Sequence, residues 1–360
     1  AITPAGRVVQ CGSCGNKWKQ FPINEDIKKN ILEKNLKIDE KPYSENEIIL
    51  IYDLESPLSK LVTEAYTTNL EKRNSETIDI NQTDKEELIK RLWALKENST
   101  VILVQSTNFR LDNFRIRLQL HNNNVWCLEH NHLLYMKDDE YENYADAIEY
   151  LTPYYDNLSF KLKELSDNAQ SMKFVSYDWS IMNINWWFES MKQNTWNYDW
   201  KKRGWTLPIW ENFTEAKDFI FGNWELSISI YPWMDFQIRK VEKPFKIKII
   251  NSLVTCDDPN APEEFIELLK LIRNSEDNQV MLRELWFGLN PNITNDKQLA
   301  DVNFFERKAW FHVSLWKKHQ IYRKKLDKNI VQRYHIDIFP DIKEIFIEEI
   351  KIFDNNSYIL

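Results

Sequence analysis

The sequence predicts two unlike parts: an α/β domain with a parallel sheet over residues 47–170, then an α+β, mostly antiparallel, metal-binding domain over 171–360. Three observations predict this. Buried-strand runs alternate with helical patterns in the first part, which argues for a parallel sheet covered on both faces. Short runs of period two dominate the second part, interrupted by one clear helix. At 360 residues the chain is long enough for two hydrophobic cores.

Ahead of both domains, residues 1–22 carry Cys11 and Cys14 as a C-x-x-C knuckle, a spacing at which two thiolates can share one tetrahedral zinc. No second pair follows, so two ligands leave the site open, and a redox or incidental pair is the alternative. Residues 23–46 are rich in Lys, Glu and Asn and read as a linker. "IILIY" (48–52) is a buried-strand run, and "SPLSKLVTEAYTTNLEK" after it has helical spacing. Thr83 and Glu86 form a capping box ahead of "LIKRLWALK". "VILVQ" (101–105) is the next strand, Asn108 caps "FRLDNFRIRLQLH", and "VWCLEH" (125–130) is a third strand. Residues 145–170 read as helix and close the domain. No glycine-rich phosphate loop follows the first strand, so nucleotide binding finds little support.

In the second part, "WELSISIY" (224–231), "FKIKII" (245–250), "WFHVSLW" (310–316) and "YHIDIF" (334–339) alternate as half-buried strands. "PEEFIELLKLIRN" (262–274) is the helix, with Pro262 suited to its first turn.

Composition narrows the function classes. A net charge of -8 argues against a nucleic-acid or anionic-membrane surface, which wants a basic footprint. No apolar run approaches the roughly 20 residues that span a bilayer. No signal peptide is visible, although the sequence starts at Ala1 without a Met. Four cysteines make no disulfide framework, so cytoplasm is the expected compartment. Six glycines are about a quarter of what the usual ~7% supplies, while fifteen tryptophans are far above the usual share.

The chemistry-bearing residues gather in the second part. His335 and Asp337 stand two apart in "RYHIDIF", so on a strand they face the same way. They fit a metal-ligand pair, an oriented acid/base pair, or the solvent face of an edge strand. His312 and Ser314 share a face in "WFHVSLWKKH", with His319 beyond the strand. "RELWFGLNP" gives Glu284 a strand position, and "PIWENFTEA" places Glu211 and Glu215 around a short turn. His, Asp and Glu together suit a borderline divalent ion such as Zn²⁺, Mn²⁺ or Co²⁺. In the first domain, His130 and His132 read as hydrogen-bonded structural residues, and Cys127 as an ordinary buried small residue, like Cys256 in the second.

From Glu47 to about Phe353 the chain resembles the aminopeptidase T-like metallopeptidases, and within them an uncharacterised bacterial branch usually labelled leucyl aminopeptidase. The resemblance rests on "NFRLDNFRIRLQL", "CLEHNHLLYM", "LPIWENFTEA", "RELWFGLNP", "FFERKAWFHVSLWKKHQIYRK" and "YHIDIF", in that order. It implies a hydrolase with two divalent ions (Zn, Co or Mn), in which Glu211, Glu284, His312, His335 and Asp337 are the ligands and Glu284 bridges. Two ions would clamp a water and polarise the scissile carbonyl of a peptide substrate. His319 or Tyr322 lies close to the family tyrosine that stabilises the tetrahedral intermediate. Glu215 and Glu306 are outer or general-base carboxylates, or structural ones. The resemblance also implies a homodimer. Residues 1–22 resemble the second half of a short bacterial zinc ribbon, which implies a structural zinc at Cys11 and Cys14.

Trp210, Trp224, Trp286, Trp310 and Trp316 stand where the family pattern has glycine, and Trp126 and Trp205 extend the set. An indole in a glycine slot overpacks the site and can demand a forbidden φ. The pattern predicts that many of these tryptophans are UGA codons that the source organism reads as glycine. The Lys, Asn and Ile richness fits an AT-rich genome, where UGA is common. Two other functions stay open. The scaffold also resembles Fe(II)-dependent ring-cleaving dioxygenases for hydroxypyridines, and a non-catalytic binding or maturation protein would fit indoles that are real.

Overall fold

A computed structural model describes residues 7–10, 17–20, 25–36, 46–107, 109, 116–149, 153–185, 188–195, 204–215, 217, 223–275, 278–315 and 334–360. Cys11, Cys14, Asn108, Trp316, His319 and Tyr322 lie outside the described residues. Strands β1 (Arg7–Gln10) and β2 (Lys17–Gln20) pair antiparallel on either side of the C-x-x-C segment. Residues expected to be linker contain helix α1 (Glu25–Leu36). Its Leu32 and Leu36 are buried, and it packs on helices described next, so four-residue apolar spacing outweighs a polar composition here.

The first sheet is parallel, as expected. It is built from β3 (Ile48–Tyr52), helix α2 (Pro57–Leu70), β4 (Ser75–Asp79), α3 (Lys85–Trp93), β5 (Thr100–Val104), α4 (Ile116–Asn122) and β6 (Trp126–His130). Ser56 and Ser59 cap α2 reciprocally. The expected cap of α3 needs correction by one residue. Asp84 caps it, accepting from the backbone of Glu86 and Glu87, while the Thr83 hydroxyl turns back to Asp79. Helices α5 (Tyr141–Ala147) and α6 (Pro153–Asn168) follow, and α1 packs against α2 and α5. Among the described residues no helix is long and apolar enough to cross a membrane.

The rest is mostly antiparallel. Strands β7 (Ser171–Ser176), β8 (Ile181–Asn185) and β9 (Lys192–Asn194) lead to β10 (Gly204–Leu207). That strand returns to the first sheet, pairing parallel with β6, and gives the order β10-β6-β5-β3-β4. After three residues the chain enters the second sheet as β11 (Glu211–Glu215). Strands β12 (Asn223–Pro232), β13 (Ile238–Ile250) and β14 (Leu253–Thr255), helix α7 (Glu263–Ser275), β15 (Leu282–Gly288), the short helix α8 (Val302–Phe305), β16 (Phe311–Leu315) and β17 (Ile336–Pro340) complete it in the order β14-β13-β12-β17-β16-β15-β11-β9. Strands β18 (Ile342–Ile347), β19 (Ile350–Asp354) and β20 (Ser357–Tyr358) join β7 and β8 in a third antiparallel sheet.

Candidate metal centre

The register of four adjacent strands assembles the site. In β11–β15, Glu211 lies opposite Gly288, Phe213 opposite Trp286 and Glu215 opposite Glu284. In β15–β16, Glu284 lies opposite Ser314 and Trp286 opposite His312. Ser314 in turn faces Asp337 on β17. Directly opposed residues share a face of a sheet. One face therefore carries Glu211, Glu215, Glu284, His312, Ser314 and Asp337. This corrects one expectation: "ENFTE" is a fully buried strand and not a turn, so Glu211 and Glu215 point the same way.

Within this face the groups are close. His335, just before β17, has Nε2 3.2 Å from Asp337 Oδ1 and Nδ1 3.9 Å from Glu284 Oε2. His312 Nε2 lies 4.0 Å from Asp337 Oδ1. The Ser314 hydroxyl donates to Asp337. Glu306, which sequence reasoning left among the outer or structural carboxylates, comes in from the loop after α8. Atoms of Glu306, His312 and Asp337 lie within 4.8 Å of one another, a grouping able to hold a metal ion. Of the five ligands implied by resemblance, Glu284, His312, His335 and Asp337 are brought together. Glu211 is on the same face but engaged elsewhere: Asn194 donates to its Oε1, and the Arg307 guanidinium pairs with its Oε2. The same guanidinium nitrogen reaches Glu306 Oε1 at 2.8 Å.

The electrostatics are those of a buried, strongly interacting cluster. Burial lowers His312 to about 3 despite the Asp337 charge, so its imidazole is neutral, the form that binds metals. Among the described residues neither of its buried ring nitrogens has a hydrogen-bond partner, and nor does Glu284 Oε1. Such orphaned groups are costly unless something pairs with them. Burial also raises Glu284 to about 7, although His335 pulls it down. Burial would push Asp337 up, but His335, His312 and Ser314 hold it well below the usual carboxylate range. Burial lowers His335, and Asp337 with Glu284 outweighs that, raising it to about 9. Burial and the Asp337 charge raise Glu306 well above an ordinary glutamate.

Two features of the backbone make room. A Cβ on Gly288 would sit 1.9 Å from the Lys308 carbonyl and 2.6 Å from that of Glu306. Only glycine lets the 306–308 loop lie on β15 and bring Glu306 into the cluster. Trp210, at the crossing between sheets, has φ 89° and no exposed surface, in the region glycine favours. Trp286 has no such backbone. Its indole stacks on Phe213 and His312 and donates to Glu284 Oε2 at 3.2 Å. Sequence reasoning missed the part played by Arg307, for which no motif gives a signal.

No family model matches this chain, and no curated protein sequence does. The fold is shared with proteins of known structure. The 2,5-dihydroxypyridine dioxygenase of Pseudomonas putida KT2440 superposes with a TM-score of 0.64 at 12% identity, covering 94% of this chain and 98% of that one. AmpT from Thermus thermophilus superposes with a TM-score of 0.55 at 12% identity, covering 92% and 100%. At this identity the likeness establishes the fold.

Proposed function

We propose that this chain is a metal-dependent hydrolase that releases N-terminal residues from peptides. The observation that carries the reading is one buried sheet face that holds Asp337 together with His312, whose two ring nitrogens have no hydrogen-bond partner among the described residues, and Glu284, whose Oε1 likewise has none. A divalent ion on this face would be held by His312, Asp337 and Glu306, with His335 beside them. When bound, such an ion supplies a Lewis acid and makes water acidic. The chain's own groups do the rest. Glu284 accepts from Trp286 at Oε2 and keeps Oε1 without a hydrogen-bond partner among the described residues, so it is the carboxylate to accept a proton from an attacking water. Ser314 orients Asp337, and Arg307 orients Glu306. Tyr322 or His319 is the donor to the tetrahedral intermediate that the aminopeptidase T-like resemblance implies.

The resemblance implies two ions, whereas the geometry supports one. A second ion between Glu211 and Glu284 would have to displace Arg307 from Glu211. The test is metal content and peptide cleavage of the purified chain loaded with Zn²⁺, Mn²⁺ or Co²⁺. One ion per chain with amine release from short peptides is expected.

A specific observation favours a second reading. His312 and His335 flank Asp337 Oδ1 at 4.0 and 3.2 Å, two imidazoles and a carboxylate being donor types that suit non-haem Fe(II) and oxygen chemistry, and one fold neighbour is a dioxygenase. Oxygen uptake with Fe(II) and a dihydroxypyridine, without peptide cleavage, would replace the hydrolase reading.

A further inference from the structure

Lys308 is 5% exposed, an unusual place for an ammonium. Buried charges are ordinarily paired. Among the described residues no carboxylate forms an ion pair with its Nζ. Its contacts are the Asn295 side-chain oxygen at 2.6 Å, the Trp310 ring at 3.9 Å and the Phe305 ring at 5.4 Å. These soften the cost of burial but supply no counter-charge.

Lys308 also lines a cavity of about 370 Å³, within the ~300–1,000 Å³ range of small-ligand sites. Leu158, Leu289 and Ile293 give it an apolar wall, while Thr294, Asn295 and Tyr358 add polar groups near the lysine. The elements are α6, the loop after β15, the loop before β16 and the C-terminal hairpin. The metal cluster uses none of these lining side chains.

We propose that this cavity is a second binding site, for a small organic molecule that places one carboxylate against Lys308 and an aliphatic body against Leu158, Leu289 and Ile293. The carboxylate supplies the counter-charge the ammonium lacks, and the polar wall can hold its remaining lone pairs. The site stands apart from the hydrolase reading, but the two can communicate. Lys308 follows Glu306 by two residues on the loop that presses on Gly288, so a ligand on Lys308 restrains the segment that presents Glu306 to the metal.

Ligand-observed NMR on the full chain tests this with 4-methylpentanoate and its uncharged isostere 4-methylpentanamide. The acid should bind at least ~10-fold more tightly than the amide, as expected of a charge-assisted contact worth at least about 1.4 kcal/mol. Lys308→Met should abolish the preference. Ser357→Trp fills the cavity mouth from a surface position and should abolish acid binding while Lys308 stays in place. Circular dichroism and the thermal unfolding midpoint report folding and keep this test separate from that of the hydrolase. Equal binding of acid and amide, unaltered binding by both variants, or no acid binding by the folded wild-type chain at millimolar probe overturns the proposal.

Discussion

His130 and His312 are two imidazoles with the same burial and opposite surroundings. Each is withdrawn from solvent, and burial lowers each to about 3. In the parallel-sheet domain, His130 has both nitrogens hydrogen-bonded, Nε2 with the Tyr66 hydroxyl at 2.8 Å and Nδ1 with the Tyr144 hydroxyl at 2.6 Å. In the second sheet, both nitrogens of His312 are orphaned. Burial alone does not mark a functional histidine; unspent hydrogen-bonding capacity does. The first histidine is a structural tie, and the second keeps hydrogen-bonding capacity that no described residue takes up.

Exchanging each histidine for leucine should split the two roles. His312→Leu should give the largest effect, weakening metal binding at least ~100-fold by competition with a chelator, since a ligand is lost outright. The metal-free protein should be as stable as before or slightly more so, because an orphaned polar group is replaced by an apolar one. His130→Leu should do the reverse. It strands two buried tyrosine hydroxyls and should cost about 2–4 kcal/mol in denaturant unfolding, with metal content unchanged. If His130→Leu empties the metal site, the distinction between the two histidines fails.

Acid should expose the cost of burying a neutral imidazole. The folded value of His130, about 3, lies below its ordinary 6.5, so its neutral form is favoured by folding. That stability is complete above pH 6.5 and is lost as pH falls from 6.5 toward 3, by up to ~1.4 kcal/mol per unit. Stability curves of the wild type and His130→Leu should therefore converge as pH drops through that window. Parallel curves would mean that His130 carries a proton in the fold.

The smallest predicted effect concerns Trp210. Both Trp210→Ala and Trp210→Gly lose the indole, but only glycine relieves φ 89°. The glycine variant should be the more stable by about 1 kcal/mol despite having one methyl fewer. An alanine variant equal to it would remove the backbone argument for glycine there. Sequencing the codon is the complementary check, with UGA expected.

Much of this arrangement is legible in the sequence wherever periodicity carries it. The buried runs at 48–52, 101–105 and 125–130 and the alternation at 310–316 and 334–339 correspond to strands β3, β5, β6, β16 and β17. The alternation is what puts His312 and Asp337 on one face. "ENFTE" defeats the same logic, because all five residues are buried although four are polar, leaving no hydrophobic alternation to detect. Glu306 and Arg307 reach the cluster from a loop whose path depends on Gly288, a tertiary approach without a local signal. Helix α1 was hidden by its Lys, Glu and Asn, since only a few apolar positions dock it.

Strand β10 has a consequence for how the molecule can be taken apart. It closes one flank of the parallel sheet beside β6, and three residues later the same segment runs as β11 beside β15. A chain cut near residue 170 would leave β6 with an open edge, prone to pairing with other chains. The stretch 204–215 works as a shared splint, so loosening either sheet pulls on the other. Heat or denaturant should then melt the two sheets together, and a protease should find no stable half to leave behind.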